Sequence, residues 1–203
     1  MNQKDSKLKG RDFIHLGIFT VIFILLFMAC VFGMSLTVYT QPFGVALGSV
    51  VAGPVYMLLR TKTPKTGAVA LFGLLFSLVM LLMGSGWPIS LSIFAGALIA
   101  ERIARSGDYR KYGRETLGYA FLMCMTAAGS YIPLLTMKDY YRKVAEGNSI
   151  DSAYMIRLLE FITGPYVILA IAVTFAAAFA GAWIARAIFR KHFIKAGLLK
   201  EMP

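Results

Sequence analysis

Gly84-Ser85-Gly86 is the segment that comes nearest to a nucleophile turn in this chain. A serine in that role needs a base within hydrogen-bond reach. Residue 83 is Met where such a turn has its leading glycine, and the only histidines, His15 and His192, sit at the opposite ends of their apolar stretches from Ser85. No HExxH, Asp-rich metal motif, GxxxxGK[ST] or GxGxxG occurs. Cys30 and Cys124 lie in no CxxC or Cys/His spacing and read as buried free thiols. These residues supply no catalytic set, metal site, cofactor site or nucleotide site, and no enzyme is expected.

A different chemistry is on offer where apolar stretches end. Tyr39 and Gln41 close one stretch and Trp87 opens another. Tyr131, Lys138, Asp139, Tyr140 and Tyr141 end a third, and Glu160 and Tyr166 flank the last. Small-molecule sites combine an apolar, aromatic cavity with a few placed polar groups. Trp87, Tyr131, Tyr140 and Tyr141 would give stacking surfaces. Asp139 and Glu160 would orient polar or cationic groups, unless Lys138 pairs with Asp139. An aromatic belt at a membrane interface uses the same residue types, and the residues alone leave both readings open. For Trp183, near the end of the last stretch, the belt is the better reading.

Six apolar stretches must position these groups: 13–34, 43–59, 67–83, 87–103, 117–137 and 164–188. Each has about the 20 residues that span a hydrocarbon core, and backbone in lipid must satisfy itself, so each reads as a helix. The expected fold is an all-α integral membrane protein, one six-helix domain over 1–203. The first stretch is too long for a signal peptide, and no cleavage pattern follows it. The charges orient the bundle. Of 21 Lys and Arg, 17 fall in the N-terminal tail, the second and fourth gaps and the C-terminal tail; Lys138, Arg142, Lys143 and Arg157 fall on the other side. Positive charge stays inside, which puts both termini in the cytoplasm and the protein in the cell membrane. The net charge of +11 then answers to topology and anionic lipid. Nucleic acid is excluded as a partner by a chain 58% hydrophobic.

The gaps on the outer side are unequal. Residues 84–87 make a tight hairpin turn, whereas 138–163 is long for a compact bundle. After the turn signal Gly147-Asn148-Ser149, Tyr154, Leu158, Leu159, Phe161 and Ile162 recur at helical spacing, with Asp151 or Ser152 as cap. One short amphipathic helix is expected there. It would be either interfacial packing or a lid over a pocket made by the outer halves of the last three spans. Between residues 13 and 100 the ionisable charges are Arg60, Lys62 and Lys65, assigned to a cytoplasmic loop. Ion-coupled carriers place carboxylates or His within the bilayer, so an ion gradient is not expected to act through this chain. Small residues at Gly17, Thr20 and Val21, and again at Gly96 and Ala100, permit close helix approach, within the bundle or against another subunit.

The order of features resembles the substrate-binding S components of energy-coupling factor transporters, most closely the MptD or Trep_Strep family. The resembling segments are Arg11-Asp12-Phe13-Ile14-His15-Leu16-Gly17-Ile18-Phe19-Thr20, Gly53-Pro54-Val55-Tyr56-Met57-Leu58-Leu59, Lys65-Thr66-Gly67, Gly84-Ser85-Gly86-Trp87-Pro88 and Arg190-Lys191-His192-Phe193-Ile194-Lys195-Ala196-Gly197. The resemblance implies a small six-helix protein that captures a vitamin or other micronutrient from outside. A transmembrane T subunit and two cytosolic ATPases would energise its release. It also implies docking on the T subunit through two small residues, four apart, on the first helix. The matching positions are Gly17 and Val21, and Val21 departs from the small-residue pattern. The pocket residues favour an aromatic or heterocyclic ligand. The other readings are a structural or channel-like membrane protein without a ligand, and an enzyme whose site follows no known motif.

Overall fold

A computed structural model describes residues 7–194. The tail lysines Lys4, Lys195 and Lys200, the segment Ala196-Gly197 and the side chain of His192 lie outside the described residues. The helices are α1 (Gly10–Met34), α2 (Gly44–Lys62), α3 (Ala68–Leu82), α4 (Trp87–Arg105), α5 (Tyr112–Thr136), α6 (Lys138–Gly147), α7 (Ser152–Phe161) and α8 (Gly164–Ile188). A 3-10 turn, Gln41–Phe43, leads into α2, and a π-helical turn, Phe189–Ile194, follows α8.

Five helical segments are long and apolar enough to cross a bilayer: Gly10–Met34, Gln41–Lys62, Trp87–Arg105, Tyr112–Thr136 and Gly164–Lys191. The third stretch, expected over 67–83, is shorter than a span. Its helix has 15 residues, which reach about 22 Å at 1.5 Å per residue, less than the roughly 30 Å of a hydrocarbon core. Left-handed glycines bound it: Gly67 (φ 83°) precedes α3 and Gly84 (φ 77°) follows it. A side chain at either would be strained. The start of α3 is also capped from another helix. The Glu101 carboxylate accepts the N–H groups of Gly67, Val69 and Ala70 at 2.7, 2.9 and 3.2 Å. These donors have no partner within their own helix, and a carboxylate there meets the positive end of the helix dipole.

Six helices close a ring: α1 packs on α2, α2 on α8, α8 on α5, α5 on α4, α4 on α3, and α3 returns to α1. Glycine allows the tightest crossings. A Cβ on Gly53 of α2 would lie 3.1 Å from the Gly181 backbone of α8, and one on Gly73 of α3 would overlap Ala97 of α4. Aromatic rings fill the middle. Phe23 meets Phe72 and Phe76 edge-on at 5.0 and 5.4 Å, and Tyr56 stacks on Tyr119 at 4.7 Å between centroids. Such pairs add about 0.5–1.5 kcal/mol each beyond their burial.

The N-terminus of α1 gathers with the α2–α3, α4–α5 and α8 basic segments at one end. Lys65 Nζ donates to Asp12 Oδ2 at 2.7 Å, and Tyr112 Oη donates to the Ala182 carbonyl. Arg60 corrects an expectation here. It belongs, with Lys62, not to a loop but to the last turn of α2, where Arg60 is 2% exposed. Its Nε and Nη2 grip Glu115 at 2.8 and 3.0 Å, and its Nη1 donates to the Thr63 carbonyl at 2.8 Å. A guanidinium can be buried because this fork matches a carboxylate in two hydrogen bonds.

Candidate functional site

At the opposite end, segment 138–163 forms two helices, not one. The first, α6, covers Lys138–Gly147 and follows α5 after a single residue. Its apolar face is narrow: Tyr141 and Ala145, four apart, are its buried residues. The second, α7, is capped by Asp151, whose Oδ1 accepts the Ala153 N–H at 3.1 Å. It buries Met155, Leu158 and Leu159. Two attachments hold this pair down. At one end Tyr39, Phe161 and Tyr166 pack ring to ring, at 5.1 and 4.7 Å between centroids. At the other, Asn148 Nδ2 donates to the Gly84 carbonyl at 3.0 Å. Beyond its left-handed φ, glycine at position 84 leaves room for this contact, since a Cβ there would lie 2.5 Å from the Asn148 side chain and displace it.

Beneath this cover lies a cavity of about 660 Å³, within the range of small-molecule sites. It is walled by the C-terminal end of α1, the start of α2, the Met83–Ser85 turn, the last turns of α5 and both cover helices. Only Ile89 comes from α4, and α8 contributes no described residue. The pocket expected between the last three spans is therefore displaced toward α1 and α2. Short α3 explains the shift, since its early end brings the 83–85 turn into the wall.

The polar groups of this cavity are incompletely paired by the protein. Gln41 Oε1, Tyr141 Oη and Tyr154 Oη are buried without a protein hydrogen-bond partner among the described residues, and all three residues line it. Tyr131 Oη accepts the Val45 N–H at 3.4 Å, which leaves its own proton without an acceptor among the described residues. Burial pushes the Tyr141 phenol up to about 12, and raises that of Tyr154 as well. Both remain protonated donors at neutral pH.

A family model described as a hypothetical bacterial integral membrane protein, Trep_Strep, matches residues 10–195. The chain belongs to that family. It is an integral membrane protein, and the apolar helices place it in a membrane. No curated protein and no solved structure matches it.

In this Trep_Strep chain the cavity gathers two of the six expected binding residues, Tyr131 and Tyr141. Tyr140 packs edge-on against Tyr141, and its hydroxyl accepts the Trp87 N–H at 3.4 Å, outside the lining. Trp87 is 51% exposed and its side chain lies elsewhere. The Asp139 side chain is 90% exposed and pairs with Arg142 at 3.2 Å, not with Lys138. Glu160 is exposed on α7, on the side away from Leu158 and Leu159. Tyr154 was missed as a polar contributor. Its signal was present, because it stands on the apolar stripe with Leu158, and a tyrosine on such a stripe brings a hydroxyl inward.

The expected docking residues also separate. A Cβ on Gly17 would meet nothing within 4 Å, and Val21 is 57% exposed. Thr20 is buried and belongs to the inner face of α1. Gly96 and Ala100 of α4 face α5: a Cβ on Gly96 would lie 2.7 Å from Met125, and Ala100 closes on Gly118. That second small-residue pair is spent within the bundle.

Proposed function

We propose that this protein is the substrate-binding S component of an energy-coupling factor importer. In this reading six helices cross the cell membrane, α3 spanning with its ends recessed, and both termini lie in the cytoplasm. The basic end faces inward. The cavity end faces out, and α6 and α7 form the cover through which an aromatic or heterocyclic micronutrient enters. A T subunit and two ATPases supply the energy, and this chain performs no catalysis of its own. The observation that carries the reading is the covered cavity lined by hydroxyls without a protein partner, which a bound ligand would pair and which binding would stabilise. Membership of the Trep_Strep family and the lack of any nucleotide motif support it.

The test is mass spectrometry of the tagged protein, gently extracted from its native membrane, with proteins and small molecules read together. A T subunit, two ATPases and a retained metabolite are the expected result. Recovery of the chain alone and empty from several mild detergents would instead favour a structural or channel-like protein.

A further inference from the structure

We propose that the occupant of the cavity is an uncharged small molecule, apolar in its body, whose rim carries both a donor for Gln41 and acceptors for the tyrosine hydroxyls. This inference rests on the substrate-binding reading above and names its ligand class.

Charge decides the first half. Among the described lining residues Asp151 is the only charged one, and it is exposed with one oxygen committed to capping α7. The cations of the cover, Lys138, Arg142, Lys143 and Arg157, are all exposed, and none lines the cavity. A carboxylate or phosphate carried beneath α6 and α7 would lose its water and gain no cation. An ammonium group would find one carboxylate at the edge and none in the interior. Either charge would be buried without compensation, which is strongly unfavourable. Met28, Val31, Val45, Met83, Ile89 and Leu134 supply much of the apolar wall, beside the uncharged polar side chains of Ser35, Ser85, Ser130 and Asn148, and this lining suits an uncharged, largely apolar body.

The unpaired atoms decide the second half. With its amide in this orientation Gln41 Oε1 accepts, so an N–H or O–H of the ligand fits that edge. The tyrosine hydroxyls of residues 131, 141 and 154 each have a proton to donate, so the ligand needs carbonyl or ring-nitrogen acceptors opposite them. Tyr141 is 6% exposed, so the cavity is the side from which a ligand could reach its hydroxyl. A primary or secondary amide on an aromatic ring has this combination.

The experiment uses the full chain in lipid nanodiscs and reads thermal stability with three probes of one shape: benzamide, benzoate and benzylamine, each at millimolar concentration. Benzamide is expected to raise the melting temperature, with an apparent affinity at least about tenfold above either ion. Tyr141→Phe and Tyr154→Phe remove one hydroxyl each and keep the ring. Each is expected to melt, when empty, at or above the wild-type temperature, since an unsatisfied buried hydroxyl is gone. Each is also expected to show a smaller benzamide shift. If benzoate or benzylamine matches benzamide, the uncharged class is overturned while a binding cavity stands. If both Phe variants keep the full benzamide shift, the hydroxyl assignment is overturned. If no probe shifts the wild type, the aromatic-amide assignment is overturned, and whether a metabolite is retained on gentle extraction decides the substrate-binding reading separately.

Discussion

Arg60 and Glu115 lie 55 residues apart in sequence and share two hydrogen bonds in a buried setting. A buried pair of this kind contributes little relative to an apolar replacement, but losing one partner strands the other. Arg60→Met alone is expected to destabilise the protein by about 3–5 kcal/mol, and Arg60→Met with Glu115→Leu by much less. Melting of the two variants in one detergent checks this; similar losses in both would mean that the pair is not the source. Neither role was legible in the sequence. Arg60 stands beside Lys62 and Lys65 and looks like loop charge, and nothing local connects it to Glu115. The expected binding residues divide for the same reason. Composition located the aromatic end, so two of the expected residues, Tyr131 and Tyr141, line the cavity. It could not tell which face of a helix Asp139 or Glu160 would occupy. Asp139 answers to Arg142, three residues on in the same helix, while Tyr154 turns inward with the apolar stripe.

Helices were the most legible element, because apolar runs of about 20 residues leave little choice in lipid. Their ends moved where a side chain from another helix intervened. Glu101 fixes the start of α3, and Arg60 carries α2 past the end of its apolar run. The cover was half legible. Helical spacing after Asn148 announced α7, but Lys138–Gly147 has too few apolar residues to announce α6. The two attachments of this cover are unequal. Three rings hold the α7–α8 junction, whereas an exposed asparagine and the long Tyr140 contact hold the other side. Opening should therefore begin at the Asn148 side, with the aromatic junction as hinge. Asn148→Ala is expected to speed amide hydrogen exchange in α6 and the 148–151 turn several-fold, and to leave α2 and α5 unchanged. Uniform exchange across the whole bundle would instead mean global loosening.

At the scale of the whole molecule, the two small-residue pairs have opposite surroundings, and this separates docking from folding. Gly96 is filled by Met125 and Leu122, so Gly96→Trp must push α4 from α5 and is expected to cost several kcal/mol through overpacking. Gly17 opens onto an unpartnered face of α1 that also presents Ile14, Ile18, Val21 and Leu25. Lipid satisfies such a face, and so would the T subunit of the proposed importer. Gly17→Trp meets no neighbour within the chain and replaces a helix-weakening glycine. It should leave the melting temperature and any ligand shift unchanged within error. If the face is the docking surface, the same substitution holds the partner helix away, because close approach in lipid depends on small residues. Co-purification of the T subunit should then fall at least about tenfold, and uptake with it, while binding to the isolated chain persists. Full recovery of the complex with Gly17→Trp would place docking elsewhere, and the exposed face of α8 around Ile168 and Trp183 would be the next to test. Val21 gives the same experiment a second arm. Val21→Ala removes two methyl groups from the exposed face, so tighter association in that variant would mark the contact, and no change would mark lipid.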